Sequence, residues 1–346
     1  MGKNKRPQRI GILTAGGDCP GINAAIRGVG KTAIVKYGMD IIGISDGFTG
    51  MINKEYSELT ESQLSGILTL GGTILGTSRE KPFKGAGKGK KELSKPALIR
   101  EHYEQMELDC LVCIGGNGTL KTAYLLSQEG LNVIGIPKTI DNDVWGTDVT
   151  FGFDSAVNIA TEAIDRLHST ANSHKRIMVI ELMGHNAGWL ALYSGIAGGG
   201  DVILIPEIPV DENVISDYLI ERAEGNKPYS IVVVAEGVEV PSKKESPGHY
   251  FARRINEMTG LETRETVLGY IQRGGSPSPM DRILASRFGA TAANMIADRD
   301  FGKMVAHLNC GINSVPLSEV AGKTRLVDPD NPILRQARDM GTCFGR

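Results

Sequence analysis

Short apolar runs recur along the chain at Ile10–Thr14, Asp40–Ile44, Cys110–Ile114, Val133–Ile136, Ile177–Leu182, Val202–Ile205 and Ile231–Ala235, with helical patterns between them. Strands that alternate with helices in this way form mainly parallel, doubly wound sheets. The fold class is therefore α/β. At 346 residues the chain suits one large or two ordinary domains. Its 44 glycines fall at strand-to-helix turns and read as punctuation rather than low complexity.

Composition narrows the function classes. With 38 basic and 40 acidic residues, no strong field favours nucleic acid or anionic lipid, so a small substrate is expected. No apolar run reaches the roughly 18–20 residues that cross a bilayer, and Met1–Arg9 is a polar, basic tail without an apolar signal core. A cytoplasmic protein is expected. Five scattered cysteines fit a reducing compartment better than a disulfide framework. Cys110 and Cys113 form a C-x-x-C spacing, but inside a strand their side chains face opposite ways, which argues against a metal or redox pair. The pairs Trp145-Gly146 and Gly188-Trp189 belong to no repeat. The lysine- and glycine-rich stretch from Glu80 to Lys95 reads as a solvated surface loop, with a flap over phosphates as the alternative.

The segment Pro137-Lys138-Thr139-Ile140-Asp141-Asn142-Asp143 follows the run Val133–Ile136, where open α/β sheets place their chemistry. It offers one ammonium and two carboxylates. Moving a phosphoryl group onto a hydroxyl needs a base, a Mg2+ site and a cation facing the phosphates, and this stretch has a candidate for each. A plain turn or helix cap is the alternative reading of Asp-Asn-Asp.

Two glycine segments support the phosphoryl reading. Gly16-Gly17-Asp18-Cys19-Pro20-Gly21 leads from a strand toward a helix expected over Ile22–Val35, and Gly115-Gly116-Asn117-Gly118-Thr119 leads toward one expected over Leu120–Leu126. Glycine lets backbone N–H groups approach an anion, and a helix amino end adds partial positive charge. Neither spacing is a dinucleotide fingerprint or a Walker A motif. Arg79, Arg176, Arg264 and Arg273 stand near other strand ends, and arginine's planar fork suits phosphate oxygens. After Pro277 a helical pattern carries Ile283, Leu284, Phe288, Ala292 and Ile296, and this helix is expected to return to the first domain.

In order along almost the whole chain, Gly16-Gly17-Asp18, Pro20-Gly21, Asn23-Ala24-Ala25, Gly71-Gly72-Thr73, Gly115–Thr119, Thr139–Asp143, Met183-Gly184, Ile196–Gly199, Glu236-Gly237 and Ile271–Pro277 resemble the 6-phosphofructokinases. That resemblance implies two phosphofructokinase-like domains. They are a donor-phosphate domain of residues 1–153 plus 272–323 and a sugar-phosphate domain of residues 154–271 plus 324–346. It also implies phosphorylation of the 1-hydroxyl of fructose 6-phosphate, assisted by Mg2+. Asp141 matches the proton acceptor, Asp143 the carboxylate that organises the metal, and Lys138 a cation of the lysine-bearing branch. Gly16, Arg79, Gly116, Asn117, Gly118 and Thr119 match the donor site. Thr139, Asp141, Met183, Gly184, His185, Glu236, Tyr270 and Arg273 match sugar-phosphate contacts. Arg176 and Arg264 match arginines contributed by a neighbouring subunit, which implies a homo-oligomer, dimer or tetramer, with shared active sites.

The donor is ATP or pyrophosphate. Pyrophosphate-using members are similar in carrying Lys at the position of Lys138 but have Asp where this chain has Gly118, and the open Gly118 favours ATP. Against it, Ser45 stands where ATP-specific bacterial members often place an aromatic. The chain also departs from the family at Asn117, usually an acidic metal ligand, at His185, often Arg, and at Tyr270, often His. Asn117 and Asp143 are the metal candidates, and a neutral amide attracts Mg2+ less than a carboxylate does. Arg27 matches an effector-site arginine, whereas Lys31 replaces a second one. The competing readings are a kinase of the NAD or lipid type, sharing only the Gly-Gly-Asn-Gly-Thr loop, and a non-catalytic sugar-phosphate-sensing subunit.

Overall fold

The computed structural model describes residues 8–84, 94–242 and 244–346. Most of the surface loop expected between Glu80 and Lys95, and most of the basic start, lie outside the described residues. The first half of the chain runs β1 (Arg9–Ala15), α1 (Ile22–Tyr37), β2 (Asp40–Ile44), α2 (Phe48–Asn53), β3 (Tyr56–Glu58), α3 (Lys95–Gln105), β4 (Cys110–Gly115), α4 (Asn117–Gln128), β5 (Val133–Thr139), β6 (Phe151–Gly152) and α5 (Phe153–His174). It continues with β7 (Ile177–Leu182), α6 (Trp189–Ala197), β8 (Val202–Leu204), α7 (Glu212–Glu224), β9 (Ser230–Ala235), α8 (Pro247–Thr259), β10 (Thr263–Val267), α9 (Pro279–Ala297), β11 (Lys303–Leu308), β12 (Gly311–Pro316), α10 (Leu317–Val320) and α11 (Pro332–Asp339).

Two compact units result. One comprises Met1–Thr139, Val144–Gly152 and Arg273–Thr324, and the other Ile140–Asp143, Phe153–Gln272 and Arg325–Arg346. The expected division kept residues 140–143 in the first domain. They group with the second instead, because their backbone is bonded to Arg325 there.

In the first unit the strand order is β12-β11-β5-β4-β1-β2-β3, with β6 beside β5. The inner pairs β5–β4, β4–β1 and β1–β2 are parallel, and antiparallel pairs close both edges. From β1 the chain proceeds outward to β2 and later returns to the other side at β4, so the winding direction reverses between β1 and β4. In such sheets ligands bind outside the carboxyl ends of the strands flanking that reversal. The second unit holds a parallel sheet of order β10-β7-β9-β8, in which β7 and β9 are buried along their full length. No helix among the described residues is long and apolar enough to cross a membrane.

The helix expected to return to the first unit is α9, packed on α1. Their backbones meet at Gly28 and Gly289. A Cβ at Gly28 would lie 2.6 Å from the Ser286 carbonyl oxygen, and one at Gly289 would lie 2.6 Å from the Val29 nitrogen. Backbone cannot rotate aside as a side chain does, so the helices would have to separate. Gly289→Ala is expected to lower stability by about 1–3 kcal/mol, read as a lower urea midpoint, whereas an unchanged midpoint would mean the crossing tolerates the methyl. Phe288, Ala292 and Ile296 are buried as anticipated, but Ile283 is 57% exposed. It stands off the stripe formed by Ala285, Phe288, Gly289 and Ala292 that faces α1.

Candidate active site

In the first unit β1 and β4 end in one row, Ala15 paired to Gly115, and the pairing of β5 with β4 stops in the same row at Pro137, two residues before β5 itself ends. Neighbouring strands lie about 4.8 Å apart, so the segments that follow leave the sheet edge side by side. These are Gly16–Gly21, Gly116–Thr119 and Lys138–Thr139, the last paired with β6. Both helices beyond the glycine segments start on a glycine, Gly21 for α1 and Gly116 for α4, without a side-chain cap. No capping side chain there competes with an anion for the first-turn N–H groups. The sequence placed the start of the second helix at Leu120, but α4 begins at Asn117, so Asn117, Gly118 and Thr119 form its first turn.

Side chains then close the row. Thr119 Oγ1 donates to Ala15 O at 3.2 Å, tying the start of α4 to the end of β1. A Cβ at Gly16 would stand 3.8 Å from Thr119 Oγ1 and 3.9 Å from Lys138 Nζ, and Gly16 itself adopts φ +87°, a conformation costly for any residue with a side chain. Lys138 is 3% exposed and its ammonium donates to Gly17 O. Arg273 lies on the same peptide: a Cβ at Gly17 would sit 2.9 Å from the guanidinium carbon. Two cations therefore bracket the Gly17 backbone. Arg273 was expected among the sugar-phosphate contacts, and the fold lays it against Gly17. Gly118 is exposed, and a Cβ there would meet nothing within 4 Å.

Arg79 reaches this edge through its own segment. Gly16 N donates to Ser78 O at 2.9 Å, Thr77 Oγ1 to Gly16 O at 2.7 Å, and Asp46 N to Leu75 O at 2.8 Å, which stitches residues 75–78 across the ends of β1 and β2. The Arg79 side chain is exposed. Thr77 and Ser78 carried no signal in the sequence beyond lying in a glycine-rich stretch. Burial, opposed by the positive charges of Lys138 and Arg273, pushes the Cys19 thiol far above its ordinary range, so it remains a neutral packing group.

In the second unit the expected sugar-phosphate residues fall at two ends of one sheet. Met183, Gly184 and His185 follow the carboxyl end of β7, and Glu236 follows that of β9. Glu236 Oε1 accepts from Gly184 N at 3.2 Å and His185 N at 2.8 Å, which holds a turn whose φ values, +145° and +53°, are both positive. That oxygen is a backbone anchor. Arg176 precedes the amino end of β7, and Arg264 lies at the amino end of β10, where both guanidinium groups meet Glu262 Oε1, at 3.5 and 2.8 Å. Thr139 ends β5, while Tyr270, 72% exposed, sits in the short 3-10 turn Gly269–Arg273.

The family model described as phosphofructokinase matches residues 9–296. The chain belongs to the phosphofructokinase family. Among relatives of this phosphofructokinase-family chain, ATP-dependent 6-phosphofructokinase 3 of Bacteroides thetaiotaomicron is 60% identical over 97% of this chain and 100% of its own. Pyrophosphate-fructose 6-phosphate 1-phosphotransferase of Streptomyces coelicolor is 44% identical over 93% of this chain and 96% of its own. The solved phosphofructokinase of Pichia pastoris superposes with a TM-score of 0.82 at 33% identity, covering 92% of this chain and 36% of that longer one. The α/β fold with mainly parallel sheets is thus that of phosphofructokinases.

Proposed function

We propose that the chain transfers a phosphoryl group from ATP to the 1-hydroxyl of fructose 6-phosphate, giving fructose 1,6-bisphosphate in glycolysis. The observation that carries this reading is the row Ala15, Gly115, Pro137, which brings two glycine-started helices and the Lys138 ammonium to one sheet edge. Asp141 follows Lys138 by three residues, a span of about 10 Å of extended chain at most. In this reading Gly16, Arg79 and the Gly116–Thr119 turn hold the donor phosphates. Lys138 offsets their charge, and Asp141 takes the hydroxyl proton. Thr139, Met183, Gly184, His185, Glu236, Tyr270 and Arg273 orient the sugar phosphate.

Magnesium suits this donor set. The described residues contain no cluster of three or more His, Cys, Asp or Glu that could cage a metal, and a magnesium ion carried on donor phosphates needs only one or two protein carboxylates. Asp143, 7% exposed, could supply one, with Asn117 as a weaker oxygen donor. When bound, the ion would neutralise charge on the donor oxygens.

The working unit is a homo-oligomer, a dimer or a tetramer. Support comes from Arg176 and Arg264, which stand roughly 20 Å along the strands from Met183–His185, too far for both groups of one chain to grip one sugar phosphate. Co-expression of Arg264→Ala with Asp141→Ser should therefore restore activity neither variant has alone, to about a quarter of wild type if chains pair at random in a symmetric dimer. Mixtures as inactive as the parents would place every contact within one chain. A cytoplasmic setting is supported by the five cysteines, all free thiols.

Pyrophosphate remains the second reading, favoured by Lys138. The deciding experiment compares initial rates with purified protein, fructose 6-phosphate and Mg2+, using ATP or pyrophosphate. Faster turnover with ATP is expected. Binding of fructose 6-phosphate without turnover on either donor would instead favour a sensing subunit, and turnover of NAD or diacylglycerol the other kinase class.

A further inference from the structure

The Asp141–Asp143 turn is irregular, yet its backbone is held by a residue more than 180 positions further on. Arg325 donates its own N–H to Asp143 O at 2.8 Å and its guanidinium Nη1 to Asn142 O at 3.1 Å. Asn142 is 4% exposed and adopts φ +52°, the left-handed region that regular structure does not use. The two bonds grip the 142–143 and 143–144 peptides, one and two residues beyond the peptide that follows Asp141.

Arg325 is itself seated. Its guanidinium carbon lies 4.0 Å from the Trp189 ring centroid, and Trp189 Nε1 donates to Arg325 O at 3.0 Å. Trp189 is 4% exposed and is the first residue of α6. Below this stack, Glu207 Oε1 accepts from Gly188 N and from Val327 N, each at 2.9 Å, joining the start of α6 to the segment just beyond Arg325. A planar guanidinium stacked on indole has few rotamers left to lose, so its bonds hold the turn at low entropic cost.

We propose that Arg325 is a positioning residue for phosphoryl transfer, fixing the catalytic turn through the carbonyls of Asn142 and Asp143, with Trp189 and Glu207 as its seat. The inference rests on the reading of Asp141 as proton acceptor. Arg325 touches neither substrate in this scheme. It acts by direction, because a shift of the 142–143 peptide it holds would carry through Asn142 to the Asp141 backbone, and misplacing a reacting group by about 1 Å can cost ~10²-fold in rate.

The test uses the full chain and two readouts. Arg325→Ala should lower kcat by ~10–100-fold while KM for fructose 6-phosphate and for the donor stays within about threefold. Amide hydrogen exchange across residues 140–143 should accelerate by at least ~10-fold. Arg325→Lys, which keeps a cationic side-chain donor for Asn142 O, should recover part of kcat, and millimolar methylguanidine should partly rescue Arg325→Ala, which retains only the main-chain bond to Asp143 O. Should Arg325→Ala fail to fold, Arg325→Lys and Trp189→Phe carry the same comparison, each with a smaller loss in kcat and faster exchange. Unchanged kcat overturns the proposal whatever the exchange does, and so does lowered kcat with unchanged exchange. A wild-type protein inactive on fructose 6-phosphate sinks the functional reading instead, while the exchange result still decides whether Arg325 holds the turn.

Discussion

Asp141→Ser is expected to lower kcat by ~10²–10⁴-fold while leaving KM for fructose 6-phosphate within about threefold. A sugar alcohol is a poor nucleophile until its proton has somewhere to go, and a positioned carboxylate supplies that destination during transfer. Serine keeps a small polar side chain but accepts a proton far less readily. The backbone beneath it should not move, because the two carbonyls that follow are bonded to Arg325, not to the Asp141 side chain. The loss should therefore fall on the chemical step. Steady-state kinetics with separate kcat and KM decide the matter, and a serine variant near wild-type rate would assign proton transfer to another group.

Gly118→Asp is expected to reduce kcat/KM with ATP by up to ~10³-fold and to leave pyrophosphate use much less affected. Two like charges at about 4 Å and an effective dielectric near 20 repel by about 4 kcal/mol, enough for that factor. Pyrophosphate has no third phosphate for the new carboxylate to meet. The substitution is clean because Gly118 is exposed in the first turn of α4 and a Cβ there touches nothing. An acidic residue in the first turn also suits the helix dipole, so unfolding should not confuse the result. Equal losses with both donors would remove position 118 from donor choice.

Much of the fold was legible because the central strands are short, mainly apolar runs between polar helical stretches. Asp40–Ile44 and Ile177–Leu182 match β2 and β7 to the residue. The partly exposed edge strands β10 and β12 were not, since exposure mixes their composition: Thr-Arg-Glu-Thr-Val and Gly-Ile-Asn-Ser-Val-Pro carry no apolar run, whereas the edge strand β8 is buried and showed as one. At the candidate site, glycine turns and the Lys138–Asp143 segment announced themselves by residue type. What stayed hidden was tertiary. Nothing local to Arg325 or Trp189 distinguishes them from a surface arginine and a core tryptophan, and nothing near Arg273 foretells that it lies on Gly17. Such pairings exist only once distant segments meet.

The crossing of α1 with α9 bears on how the molecule is made. The face of α1 that includes Gly28 receives its partner only when the chain has been extended by roughly 240 more residues, so the first unit must wait through synthesis with that surface uncovered, whereas the intervening second sheet can assemble meanwhile. A nascent chain halted before Pro279 should therefore be the species that chaperones hold and proteases attack.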